Sequence, residues 1–93
     1  MAIGVLYIDL LVPGARSLKD KRRVVKSLKE RLRSRFNCSV AETEHQDRWG
    51  RAALTVCVVS NDGRHANTQL NEIARFASTH NGAELASYEI EML

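Results

Sequence analysis

Residues 38–60, CSVAETEHQDRWGRAALTVCVVS, decide the fold. The segment opens on eight residues of mixed polarity, 38–45, and closes on the β-branched run 52–60. Both ends read as strands, the second as a central one. The link between them, Gln46 to Gly50, is polar, short and carries Trp49. A link of that length joins antiparallel neighbours, because a parallel pair needs a crossover of a dozen or more residues.

Outward from this hairpin the pattern is nearly symmetric. On the N-terminal side, residues 2–12 are apolar except for Asp9 and stop at Pro13-Gly14, as a strand does. Leu6, Ile8, Leu10 and Val12 share one face, and Ile3, Val5, Tyr7, Asp9 and Leu11 the other. Ser17 is then a helix N-cap with Asp20 three residues on. Leu18, Val24, Val25, Leu28, Leu32 and Phe36 follow helical spacing, which predicts a helix over 18–35 ending near Asn37.

On the C-terminal side, Asn61-Asp62-Gly63 starts a second helix with a stripe at Ala66, Leu70, Ile73, Ala74 and Ala77. His80-Asn81-Gly82 ends it, Gly82 being free to take positive φ. Residues 84–92 form a last strand through Leu85, Tyr88, Ile90 and Met92. The order strand, helix, strand, strand, helix, strand makes two split βαβ units. The expectation is an α+β, ferredoxin-like sandwich over residues 1–93, a single domain with a four-stranded antiparallel sheet and both helices on one face.

The composition suits one small core: 93 residues, 44% hydrophobic, 27% charged and one proline. No apolar run approaches the about 18 residues of a membrane span, and residues 1–5 do not resemble a signal peptide. A cytoplasmic protein is expected. Cys38 and Cys57 are too few for a disulfide scaffold; they are able to meet across the hairpin, but buried thiols are the expectation. Trp49 is expected to fold over the end of the core, with anchoring of a partner as the alternative.

Net charge is +3, but segment 16–35 holds ten of the fourteen Lys and Arg residues and only two acids, a net +8. The remainder of the chain is −5. At about 100° per residue, Lys19, Arg22, Lys26, Lys29 and Arg33 form one row beside the apolar stripe. The row is about 20 Å long and holds no acid, so it is able to follow nucleic-acid phosphates. A solvated helix face would also collect cations. Two details favour a partner instead. Signs mostly do not alternate at i, i+4, as a face built for stability would have them. Lys19, Lys21, Arg22 and Arg23 also crowd the positive end of the helix dipole. Arg16, Lys21 and Arg23 are read as supporting cations. Ser17, Lys19 and Arg22, at the helix N-terminus, are read as a candidate anion site.

Other chemistry is thin. His45, His65 and His80 show no metal-ligand spacing, so no metal and no cofactor are expected. Asp9, His45 and Glu42 are able to share a sheet face as an acid–base set, but no nucleophile motif accompanies them and an enzyme is not expected. The face away from the helices has Tyr7 but no aromatic residue on strand 52–60, which argues against base stacking there and favours self-association.

The run SLKDKRRVVKSL at 17–28, with RFNCSVAE at 35–42, resembles the small bacterial YlxP-like family, a domain of unknown function. The resemblance spans essentially the whole chain and carries over Ser17, Leu18, Lys19, Asp20, Lys21, Arg22 and Arg23. It implies a ferredoxin-like fold, a cytoplasmic location and genes lying beside those for transcription-elongation, translation-initiation and ribosome-maturation factors. It implies no biochemical activity. The readings that follow are a non-catalytic RNA- or ribosome-associated protein, a module that forms homodimers through the sheet face or an edge strand, and a small-ligand or catalytic domain.

Overall fold

The first helix, α1, starts where the side chains say it starts. The computed structural model describes residues 1–93. Ser17 has extended backbone and its Oγ accepts the Asp20 N–H at 3.1 Å, while the Asp20 carboxylate accepts the Arg16 N–H at 3.0 Å. Helix α1 then runs Leu18–Arg35 and closes with the Phe36 N–H on the Leu32 carbonyl. The second helix, α2 (Gly63–Ser78), is capped by Asp62, whose carboxylate accepts the Arg64 N–H at 3.0 Å.

Four strands complete the chain: β1 (Ala2–Leu11), β2 (Ser39–Glu44), β3 (Arg51–Ser60) and β4 (Glu84–Met92). They form one sheet in the order β2-β3-β1-β4, with every neighbouring pair antiparallel. The two interior strands, β1 and β3, belong to different βαβ units, so neither half of the chain has a complete sheet alone. This is the expected ferredoxin-like α+β arrangement.

The alternation read from the sequence holds. Leu6, Ile8 and Leu10 of β1 and Ala52, Leu54, Val56 and Val58 of β3 are buried under the helices. Val25, Leu28 and Leu32 of α1 and Leu70, Ile73, Ala74 and Ala77 of α2 close the same core. No helix is long and apolar enough to cross a membrane.

Gly82 leads α2 back into β4 with φ of 91°, and a Cβ there would meet Val24 Cγ2 at 3.3 Å. Replacing it with Ala combines backbone strain with that contact. The expected loss is about 1–3 kcal/mol, read by urea denaturation.

Three sequence readings are corrected. Lys21, expected at the surface, is fully buried. Trp49 is not buried over the core: the residue is 48% exposed. Cys38 and Cys57 are not opposite one another, since Ser39 pairs with Cys57 in the β2–β3 ladder. Both thiols are free and only partly buried. Cys38 Sγ lies 3.7 Å from the Leu32 carbonyl, and burial pushes its thiol pKa up.

Candidate functional site

The outward side of α1 is a cationic ridge. Lys19, Arg22, Lys26 and Arg33 are exposed and Lys29 is partly so. Two ion pairs occur in the whole molecule, Lys21–Glu42 and Arg51–Asp9, and neither uses a member of the ridge. Arg33 alone is anchored, donating to the Val40 carbonyl at 2.9 Å, which ties the C-terminal end of the ridge to β2. Arg16 and Arg23 are exposed near its start. The five side chains therefore share one flank of one helix, and none has a carboxylate within ion-pair distance. A polyanion meeting this flank would exchange counterions for these cations.

Lys21 departs from this picture for a reason visible in the wheel. It stands with Val25, Leu28 and Leu32 at i, i+4, i+7 and i+11, in the middle of the apolar sector. Its charge rather than its position led the sequence reading to place it outside. Its ammonium donates to Glu42 Oε2 at 2.7 Å, to the His45 carbonyl at 2.7 Å and to the Gln46 carbonyl at 3.4 Å. An ammonium has three donors and here meets three acceptors, so the buried charge is paired and solvated by protein. The contact also explains His45, a non-glycine residue at φ of 62°. Its carbonyl is gripped by Lys21 and by the Arg48 N–H at 3.0 Å, which fixes the left-handed turn out of β2.

The anion reading of Ser17, Lys19 and Arg22 gains no support. The Ser17 hydroxyl already accepts the Asp20 N–H, and the Asp20 carboxylate lies at the same helix end. The negative charge that suits this terminus comes from within the chain.

The helix-free face of the sheet carries a shallow concavity of about 560 Å³, lined among others by Tyr7, Asp9, His45, Arg51 and Glu89. Asp9 and His45 do come together here. Glu42 does not: it points under the sheet to Lys21, so the three-residue acid–base set is not formed. Alternation causes the separation: Glu42 lies two residues from buried Val40 and pairs with core-facing Leu54, and the bulge at Thr43 comes after it, moving only Glu44 to pair with Ala53. Thr43 and Thr55 hydroxyls meet at 2.8 Å on the open side.

Within the concavity Asp9 takes a two-pronged contact from Arg51, at 2.6 and 3.3 Å. That hydrogen-bonded guanidinium holds the Asp9 carboxyl below its ordinary value of 3.8, against the opposing effect of burial. A depressed carboxylate stabilises the fold above its unfolded pKa and loses that contribution as pH falls through the lowered value. Wild type is therefore expected to exceed Asp9→Asn in urea midpoint at pH 6. The gap is expected to close below pH 3.8, and urea titrations across that range check it.

Comparison with known proteins adds a family. The sequence profile described as "Protein of unknown function (DUF503)" matches residues 3–90. "Uncharacterized protein YlxP" of Bacillus subtilis (strain 168) is 31% identical over 74 residues, covering 80% of each chain.

Proposed function

This chain belongs to the DUF503 family of proteins of unknown function, and on that footing we propose that it is a non-catalytic RNA- or ribosome-associated protein of the cytoplasm that binds through α1. Family membership supplies no activity, so the reading is supported by one observation. Lys19, Arg22, Lys26, Lys29 and Arg33 stand on one flank of α1, and none is paired with an acid. Recognition of this kind is electrostatic and weakly sequence-specific, because phosphates position a protein without reporting sequence.

The experiment is binding of ribosomal subunits and structured RNA across a salt series. Five phosphate contacts at about 0.7 each give a log–log slope of about −3.5 for single strands. A flat salt dependence, or no binding at about 50 mM salt, removes the proposal.

A second reading, homo-oligomerisation through the sheet, is favoured by a different observation. On the helix-free face Val59, paired with Ile3, is 60% exposed and Tyr7 is 42% exposed, with Val5 between them and Leu11, 41% exposed, further along β1. Such a strip is a candidate self-contact, with edge strand β4 beside it. Light scattering at two protein concentrations is expected to show mass rising with concentration, and a strict monomer at both eliminates this reading.

A further inference from the structure

Helix α1 has a second positive flank, separate from the ridge. Arg23, Ser27 and Arg31 follow one another at i, i+4 and i+8. At about 100° per residue they lie roughly 120° around the helix from the centre of the ridge. This flank faces the turn between α2 and β4. Arg23, Val24, Ser27 and Arg31 of the helix, with His80 and Asn81 of the turn, enclose a concave site of about 260 Å³.

Three features of this site are unusual for a surface built only for stability. Its walls contain two guanidiniums, a hydroxyl, a carboxamide and an imidazole, but no carboxylate. Neither arginine takes part in an ion pair. The His80 side chain is only 9% exposed, yet its Nδ1 has no hydrogen-bond partner. Buried polar atoms in native proteins are nearly always satisfied, and an exception calls for an explanation. Two arginines against a buried imidazole with no acid between them is a local arrangement that costs stability.

We infer that Arg23, Ser27 and Arg31, with Asn81 and His80 behind them, bind a phosphate group. Guanidiniums on either side supply charge-assisted donors to a tetrahedral oxyanion, and the Ser27 hydroxyl and Asn81 amide supply neutral ones. His80 reports occupancy. Its pKa is lowered first by burial and second by the Arg31 charge, and raised by a backbone contact with Val24. The charged groups lining the site with it are Arg23 and Arg31 of α1, while the turn adds the neutral Asn81. An anion between the arginines cancels their field, so His80 takes up a proton more readily when the site is filled. This site stands whether or not the ridge binds RNA.

The test is NMR of the histidine side chains of the full chain at constant ionic strength. The probes are inorganic phosphate, a nucleoside 5′-monophosphate and a short RNA. His45 and His65, which do not line the site, are internal controls. Saturable His80 shifts are expected, with its titration midpoint rising as the site fills. They are expected to vanish in Arg23→Gln/Arg31→Gln. The response to inorganic phosphate is expected to persist in Lys26→Glu/Lys29→Glu, which impairs the ridge alone. Shifts with phosphate or nucleotide identify a free phosphate as the occupant, and shifts with RNA alone identify a backbone phosphate; either sustains the inference. No His80 response to any probe overturns it, as does a response undiminished in the double glutamine variant.

Discussion

Lys21→Met is expected to destabilise the protein by about 3–5 kcal/mol, a large share of the about 5–15 kcal/mol that holds a folded domain together. The cause is the residue left behind. Glu42, with a side chain only 13% exposed, loses its 2.7 Å partner and must remain as an uncompensated charge. The carbonyls of His45 and Gln46 lose a donor at the same time, which releases the left-handed turn at His45. Met fills nearly the same volume as Lys, so the loss reports charge pairing rather than a cavity.

The companion variant isolates that pairing. Lys21→Met/Glu42→Leu removes both charges, and a buried ion pair replaced by apolar groups is often neutral. It is expected to recover most of the loss in urea or thermal denaturation. A single variant within about 1 kcal/mol of wild type would show that the pair is not what holds the β2 end against α1. RNA binding by the double variant is expected to match wild type, since Lys21 does not reach the ridge surface.

Lys26→Glu/Lys29→Glu is expected to weaken RNA binding by about a hundredfold or more at low salt. Each reversal removes a phosphate contact and sets a carboxylate against the strand. The salt slope is expected to flatten from about −3.5 to about −2, because each lost contact removes about 0.7. Stability is expected to change by under about 0.5 kcal/mol, as neither lysine has an ion-pair partner to lose. Arg64→Glu, exposed on α2, alters net charge without touching the ridge. It controls for non-specific attraction and is expected to cost less than threefold. Unchanged binding in the double reversal would mean that α1 is a solvated face.

The periodicities carried most of the architecture. Ser17 and Asp62, the two capping side chains, marked where each helix starts, and α1 occupies the span 18–35 that its spacing predicts. Helix signals of this kind lie within a few residues of one another, so a linear reading finds them. The alternation Leu6, Ile8, Leu10 against Val5, Tyr7, Asp9 likewise gave both faces of β1, because side-chain direction in a strand depends on residue parity alone. The ridge was legible on the same grounds, being a property of one helix.

Lys21, Glu42 and His80 were not legible. Lys21 was grouped by its charge with neighbouring cations, although its place in the stripe already set it among Val25, Leu28 and Leu32. Charge normally keeps a lysine out of the core, and what reverses that rule here is a carboxylate twenty-one residues away. Parity with Val40 puts Glu42 under the sheet, and the bulge at Thr43 turns only Glu44 away, but nothing in the sequence says that Lys21 stands opposite that acid. Trp49 misled for a related reason: its bulk suggested burial, but about half of the residue is exposed.

The sequence by itself thus determined the elements, their order and the apolar and cationic faces of α1, all set by spacing along a single helix or strand. Tertiary structure alone decided which charges are free and which are paired. It placed Lys21 on Glu42, left Lys19, Arg22, Lys26, Lys29 and Arg33 without acids, and brought His80 against Arg23 and Arg31. Pairing depends on distances of a few ångströms between residues far apart in the chain, and those distances exist only once β2 and the α2–β4 turn have packed beside α1.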